Sequence, residues 1–252
     1  MKRMLKRILY PVRKLAARFV NVGATDYRNT IIHKAANILA QEKVEGDYLE
    51  FGVFAGLSFI QSHHIIKGVF EHQQKLHAGR TEADATEIRR LWDKMRFFAF
   101  DSFQGLPEPH GRDKESGEFA KGKYTCPEDT FRENLVTAGV PLGKVVTVAG
   151  WFEETCTDET RRKYAMQQAA LIHIDCDYYA SARTALEFVK PLLTDGTILV
   201  FDDWYCFRGN PNLGEQRAFT EWKATMPGWL FPEYQKEGPQ RNSFIASKRN
   251  VA

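Results

Sequence analysis

From Gly46 onward the chain repeats one pattern: a short apolar run closed by Gly or Asp, then a stretch with apolar residues at helical spacing. A parallel sheet covered by helices on both faces requires that alternation, because its strands are buried on both sides and each crossover needs a helix. The pattern predicts strands over 47–52, 97–101, 144–149, 170–175 and 196–202, with helices over 56–73, 128–138, 157–167, 180–193 and 215–224. Two last runs, 229–234 and 242–247, read as an antiparallel pair. The fold class expected is therefore α/β, a doubly wound, mostly parallel sheet with a C-terminal antiparallel hairpin. Two stretches exceed the minimal unit. Residues 72–95 are long and charged and predict an extra helix over 83–94. Residues 104–124, rich in Gly, Pro, Lys and Glu, predict a loop on the carboxyl edge of the sheet, where such folds keep their sites.

Two helical elements precede the sheet. Met4, Leu5, Ile8, Leu9, Val12, Leu15 and Phe19 recur at three- and four-residue steps, which predicts an amphipathic helix interrupted at Pro11. A second helix is expected over 26–41, so the division expected is a basic helical segment over 1–45 and a main domain over 46–252. Charge follows the same split. Seven of the 35 Lys and Arg lie in the first twenty residues with no acid beside them, which leaves 28 bases against 32 acids in the rest. An acidic body offers no basic face for nucleic acid, so that partner is excluded. No apolar run approaches the roughly 18 residues of a membrane span. Pro11 and Arg13 break the leader before a secretory core forms, which places the protein in the cytoplasm. Cys126, Cys156, Cys176 and Cys206 are isolated and read as free thiols.

The chemistry is concentrated where strands end. Residues 47–58 (DYLEFGVFAGLS) close a strand and open a helix, with Gly52 and Gly56 allowing a ligand close to the backbone. The spacing is GxxxG rather than the dinucleotide fingerprint, and Glu50 beside it repels a pyrophosphate but suits a cation such as the amino-acid part of S-adenosylmethionine. Asp101 ends the second strand, the position from which such sheets bind ribose hydroxyls. Asp175 ends a strand, and Asp202 and Asp203 end the next. If those strands are parallel neighbours, three carboxylates meet at one edge, and a hard divalent ion, Mg²⁺, relieves their repulsion. The alternative is that Asp202 and Asp203 cap the following turn. His63 and His64 are adjacent on a helix and point to different faces, so they share no metal. Tyr178, Tyr179, Trp204, Tyr205 and Phe207 flank the acids and either wall an acceptor pocket or pack in the core.

The segments GDYLEFGVFAGLS, FDSFQGLPE, VAGWF, HIDCDYYASARTALEFVKPLLTDGTILVFDDW and GEQRAF resemble the macrocin O-methyltransferase family, across about Gly46 to Phe219. The resemblance implies a class I methyltransferase (Rossmann-like) sheet and a metal-dependent S-adenosylmethionine enzyme that methylates sugar hydroxyls of glycosylated small molecules. It implies a magnesium site of Asp175, Asp202 and Asp203. It also implies cofactor contacts from Glu50, Gly52, Val53, Ser58, Asp101 and Ser102, with Gly150, Trp151 and Phe152 lining the adenine. Cys176 stands where the family usually has Gly, and Ala180 where it usually has an acid; the 72–95 stretch is peculiar to this chain.

The mechanism expected is direct transfer to a hydroxyl held by the metal, with Asp175 or the loop residue His110 as general base. Two rival functions are a metal-dependent hydrolase or nucleotide-sugar enzyme on the same sheet, and a noncatalytic membrane-associated partner protein. The resemblance further implies a homo-oligomer, and the cationic leader 1–20 is expected to meet either an anionic membrane surface or a neighbouring acidic subunit.

Overall fold

A computed structural model describes residues 27–115 and 119–249. The leader helix expected over 1–20 and its membrane or subunit contact lie outside the described residues. Eight strands form the sheet: β1 (Asp47–Phe51), β2 (Phe97–Asp101), β3 (Val145–Ala149), β4 (Ala169–Ile174), β5 (Leu193–Phe201), β6 (Trp229–Leu230), β7 (Glu233–Glu237) and β8 (Arg241–Lys248). Their order is β3-β2-β1-β4-β5-β8-β6, with β7 also paired to β8. β1 to β5 run parallel and β8 enters antiparallel to β5. The run expected as one strand over 229–234 is two strands, because Pro232 between them has no N–H to give the ladder; its carbonyl instead accepts from the Ile245 N–H.

The helices cover both faces. α1 (Ile31–Gln41), α2 (Leu57–Ala78), α3 (Glu82–Lys94) and α4 (Glu128–Thr137) pack one side. Ile31, Ile32, Ala35, Ala36, Leu39 and Ala40 of α1 bury against the same cluster as Tyr48, Phe59, Phe70 and Phe97. The helix before residue 45 thus shares its core with the sheet. α2 runs beyond the expected 73 to Ala78, and α3 folds back on it through Ile88 and Leu91, so the charged 72–95 stretch is a helical hairpin whose apolar stripe joins the core. On the other face lie α5 (Phe152–Thr155), α6 (Asp158–Lys163), α7 (Tyr179–Val189) and α8 (Gly214–Ala224). α6 ends short of the expected 167, where Ala165 takes a left-handed conformation (φ 46°). α7 stops at Val189, before the 3₁₀ turn Lys190–Leu192 that contains Pro191. Among the described residues, no helix is long and apolar enough to cross a membrane, and all four cysteines are free.

Candidate active site

The carboxyl ends of β1, β2, β4 and β5 open on a cavity of about 330 Å³. The turn after β1 is its floor on one side. Gly52 (φ 90°) sits so close to β4 that a Cβ there would lie 1.8 Å from the Asp175 carbonyl oxygen, so only glycine fits. Gly56 (φ 87°) caps α2. Asp101, buried at the tip of β2, holds this turn in place: one oxygen accepts the N–H groups of Val53 and Phe54 at 2.8 and 2.9 Å, the other that of Phe103 at 2.7 Å. Burial pushes its carboxyl up, and those three donors pull it back. Asp101 lines the cavity as expected of a ribose ligand, but it is equally the residue that shapes the cofactor turn.

The expected contact residues separate into two groups. Gly52, Val53, Ser58, Asp101, Ser102, Trp151 and Phe152 all line the cavity. Glu50 and Gly150 do not. Glu50 is fully buried beneath the turn, accepting from the Ser58 hydroxyl at 2.5 Å and from the Tyr48 hydroxyl, and of these two partners Ser58 lines the cavity. Gly150, with φ 137°, donates its N–H to the Asp101 carbonyl and places Trp151 on the wall. His110 is exposed on the loop and is not among the lining residues; the loop turns it outward at the start of a 3₁₀ turn, Gly111–Glu115.

Beside the turn, at the ends of β4 and β5, lies an acidic cluster. β4 and β5 are parallel neighbours in register Ile174 to Phe201, so Asp175 and Asp202 face each other at the sheet edge, as the sequence anticipates. Asp175, Asp177, Asp202 and Asp203 line the cavity. The tightest grouping is His173, Asp175 and Asp202, each with a donor atom within 4.8 Å of the others, and Asp203 is not part of it. Asp203 stands at the wall with its Oδ2 buried and unpartnered, while Oδ1 accepts from the Cys206 thiol. Burial and the charge of Asp202 raise Asp203 to about 6, and burial and Asp202 push Asp175 well above the carboxylate range. Burial would raise Asp202 as well, but His173 and Arg241 outweigh it and hold it at about 2. Crowded acids with an orphaned oxygen are hard oxygen donors of the kind that suits a divalent cation.

Several residues here carry no signal in the sequence. Arg241 arrives on β8, whose antiparallel register pairs Phe201 with Asn242 and so brings Arg241 beside Asp202, where its guanidinium pairs with Oδ1. Asp113 on the loop accepts the N–H groups of Tyr179 and Ala180 and thereby caps α7. Glu215, fully buried, accepts the Asp203 N–H with one oxygen and leaves the other unpartnered. Of the two readings open for the five aromatics that flank the acids, walling the cavity does not hold: none is a lining residue. Trp204 packs with Phe201, Phe219 and Phe244, while Tyr178 and Phe207 close a small cluster with Phe119. The aromatic wall comes instead from Phe54, Phe119, Tyr124, Trp151 and Phe152. Phe54 and Tyr124 are 46% and 44% exposed, meet edge to face at 5.9 Å, and both hold left-handed backbones (φ 46° and 58°). Both rings thus form a solvent-exposed part of the cavity wall.

Known proteins with related sequences and folds narrow the reading. A tetracenomycin-pathway relative from Streptomyces olivaceus, described as 8-demethyl-8-(2,3-dimethoxy-alpha-L-rhamnosyl)-tetracenomycin-C 4'-O-methyltransferase, is 28% identical over 166 residues; the match spans 64% of this chain and 54% of that protein. The chain thus spans about half the length of that relative. The O-methyltransferase NovP superimposes with a TM-score of 0.63 at 19% identity, over 86% of this chain and 78% of that one. An O-methyltransferase from Bacillus cereus in complex with SAH does so with a TM-score of 0.53 at 14% identity, over 94% and 90%. Both structures share the Rossmann-like class I fold. The macrocin-O-methyltransferase (TylF) profile matches residues 19–224, from before the sheet to the end of α8. With a match of that extent, joined to the acid-ended strands and the GxxxG turn it spans, the chain belongs to the macrocin-O-methyltransferase (TylF) family.

Proposed function

We propose that this chain is an O-methyltransferase that moves the methyl group of S-adenosylmethionine to a hydroxyl of a sugar or glycosylated small molecule, with Mg²⁺ at the acidic cluster. The observation that carries the reading is one cavity whose wall joins a glycine turn and aromatic rings to four carboxylates, Asp175, Asp177, Asp202 and Asp203. The relative from Streptomyces olivaceus is named for methylation of a rhamnosyl group, and the Bacillus cereus structure is in complex with SAH, which supports both substrate class and cofactor.

S-adenosylmethionine supplies an electrophilic methyl group on a sulfonium. Gly52, Val53 and Ser58 would hold its amino-acid part, Asp101 and Ser102 its ribose, and Trp151 with Phe152 its adenine. Mg²⁺ would supply charge that lowers the pKa of an acceptor hydroxyl. Asp175, Asp202 and Asp203 would hold it, a set of hard oxygen donors that fits this ion. Asp175 and Asp177, both at the wall, offer carboxylates that take the hydroxyl proton. Phe54 and Tyr124 would hold the apolar body of the acceptor at the mouth, so that binding energy remote from the reacting oxygen fixes its approach. The homo-oligomer and the membrane contact of 1–20 are proposals resting on sequence alone.

The test is transfer of labelled methyl from S-adenosylmethionine to a panel of sugar nucleotides, glycosides and glycolipids, with cofactor binding followed by calorimetry. Labelled O-methyl product from a sugar-bearing acceptor supports the reading. Absence of cofactor binding contradicts it.

A further inference from the structure

Beneath the cavity floor a buried polar bridge joins two parts of its wall. It starts at Ser58 on the wall, whose hydroxyl donates to Glu50 Oε1. Glu50 Oε2 accepts from the Tyr48 hydroxyl and lies 3.7 Å from Nδ1 of His173. Nε2 of the same imidazole lies 3.3 Å from Asp202 Oδ1, which brings the bridge back to the wall. Tyr48 and Glu50 are wholly buried and His173 is 1% exposed. Burying a charged chain of this kind costs stability compared with apolar packing, so its geometry needs a reason.

The arrangement at Asp202 gives one. His173 and Arg241 both engage Oδ1, from β4 and β8 respectively, so side chains of two strands fix this oxygen of the carboxylate. Nε2 faces the acceptor oxygen of Asp202 and so carries the ring proton, while Nδ1 lies 3.5 Å from the Tyr48 hydroxyl and 3.7 Å from Glu50 inside the buried bridge, so neither nitrogen aims a lone pair at the cavity. We propose that His173 is a positioning residue: it is not a metal ligand, although it stands within ligand distance of Asp175 and Asp202, but fixes the carboxylate of Asp202 and ties it to the cofactor turn through Glu50. This rests on the metal reading above and adds to it which residue orients the donor.

The experiment uses the two amides that imitate one imidazole nitrogen each. His173→Gln keeps a donor near the position of Nε2, toward Asp202; His173→Asn keeps one near Nδ1, toward Glu50. Calorimetric titration with MgCl₂ of the full chain should show His173→Gln within about threefold of wild type and His173→Asn weakened by roughly 10- to 100-fold, the usual cost of removing an orienting partner. Equal affinities in the two variants, whether both wild-type or both lost, overturn the proposal, since a merely structural role does not distinguish the two ends. Pulsed EPR of the Mn²⁺-loaded wild type gives a second reading that needs no variant to fold. No directly bound ¹⁴N supports the positioning role, and a bound imidazole nitrogen overturns it. A wild type that binds neither ion fails the metal reading itself and takes the proposal with it, an outcome distinct from binding that ignores His173.

Discussion

His63 on α2 is 1% exposed, and neither ring nitrogen has a hydrogen-bond partner. It packs against the rings of Trp92, Phe97 and His64, with Lys67 and Lys144 as the neighbouring cations. Burial first, then the charges of His64, Lys67 and Lys144, lowers it from 6.5 to about 4. Above pH 6.5 it is neutral in both folded and unfolded chains and costs nothing. As pH falls from 6.5 to 4 the unfolded chain takes up the proton and the folded one does not, so stability is lost across that window. Between pH 7 and pH 4.5 the linkage amounts to about 2 kcal/mol, or roughly 4–8 °C in Tm for a chain of this size. His63→Phe removes it. The larger ring shifts stability by a packing increment that does not vary with pH, so the difference in slope between wild type and variant isolates the imidazole. The assay is urea unfolding of both proteins at pH 7 and 4.5. A variant whose stability falls between those two pH values as much as that of wild type refutes the reasoning.

Other outcomes follow from the same geometry. Gly52→Ala drives a methyl into the Asp175 carbonyl at a φ of 90°, so it should cost about 2 kcal/mol or more and abolish S-adenosylmethionine binding, both read by thermal shift with and without cofactor. Asp113→Ala removes the cap that ties the loop to α7. It should cost about 1 kcal/mol and speed proteolysis within 104–124, with unchanged cleavage counting against the capping role. Tyr124→Ala and Phe54→Ala should raise the acceptor KM while leaving cofactor affinity within about twofold, measured once an acceptor is in hand; loss of cofactor affinity instead would assign the rim to the adenine.

Much of the sheet is legible in the sequence because buried parallel strands must be apolar along their whole length and must end where Gly or Asp appears. The sequence anticipates the meeting of Asp175 and Asp202 on the condition that their strands are parallel neighbours, and β4 and β5 are, with Ile174 opposite Phe201. The parts that escape it depend on long-range pairing. Nothing local to Arg241 says that β8 will bring it beside Asp202, because an antiparallel register is set by the whole strand and its turn. Asp113 reads as one more loop charge until α7 is found above it. Glu50 shows the opposite failure: its place in the turn suggests direct cofactor contact, yet the alternation of side chains along β1 sends it beneath the floor, toward Tyr48 and His173. Tyr178 and Trp204 flank the acids in sequence and turn away from them in space, while Phe54 and Tyr124, unremarkable in sequence, form the rim.

The central claim is that the carboxylates closing β4 and β5 hold a divalent ion needed for methyl transfer. The most direct measurement is turnover of labelled S-adenosylmethionine by chelator-treated protein, before and after Mg²⁺ is returned, in wild type and Asp202→Asn. Loss of turnover in chelator, recovery with Mg²⁺ in wild type and none in Asp202→Asn is the result predicted; full turnover in chelator contradicts the account.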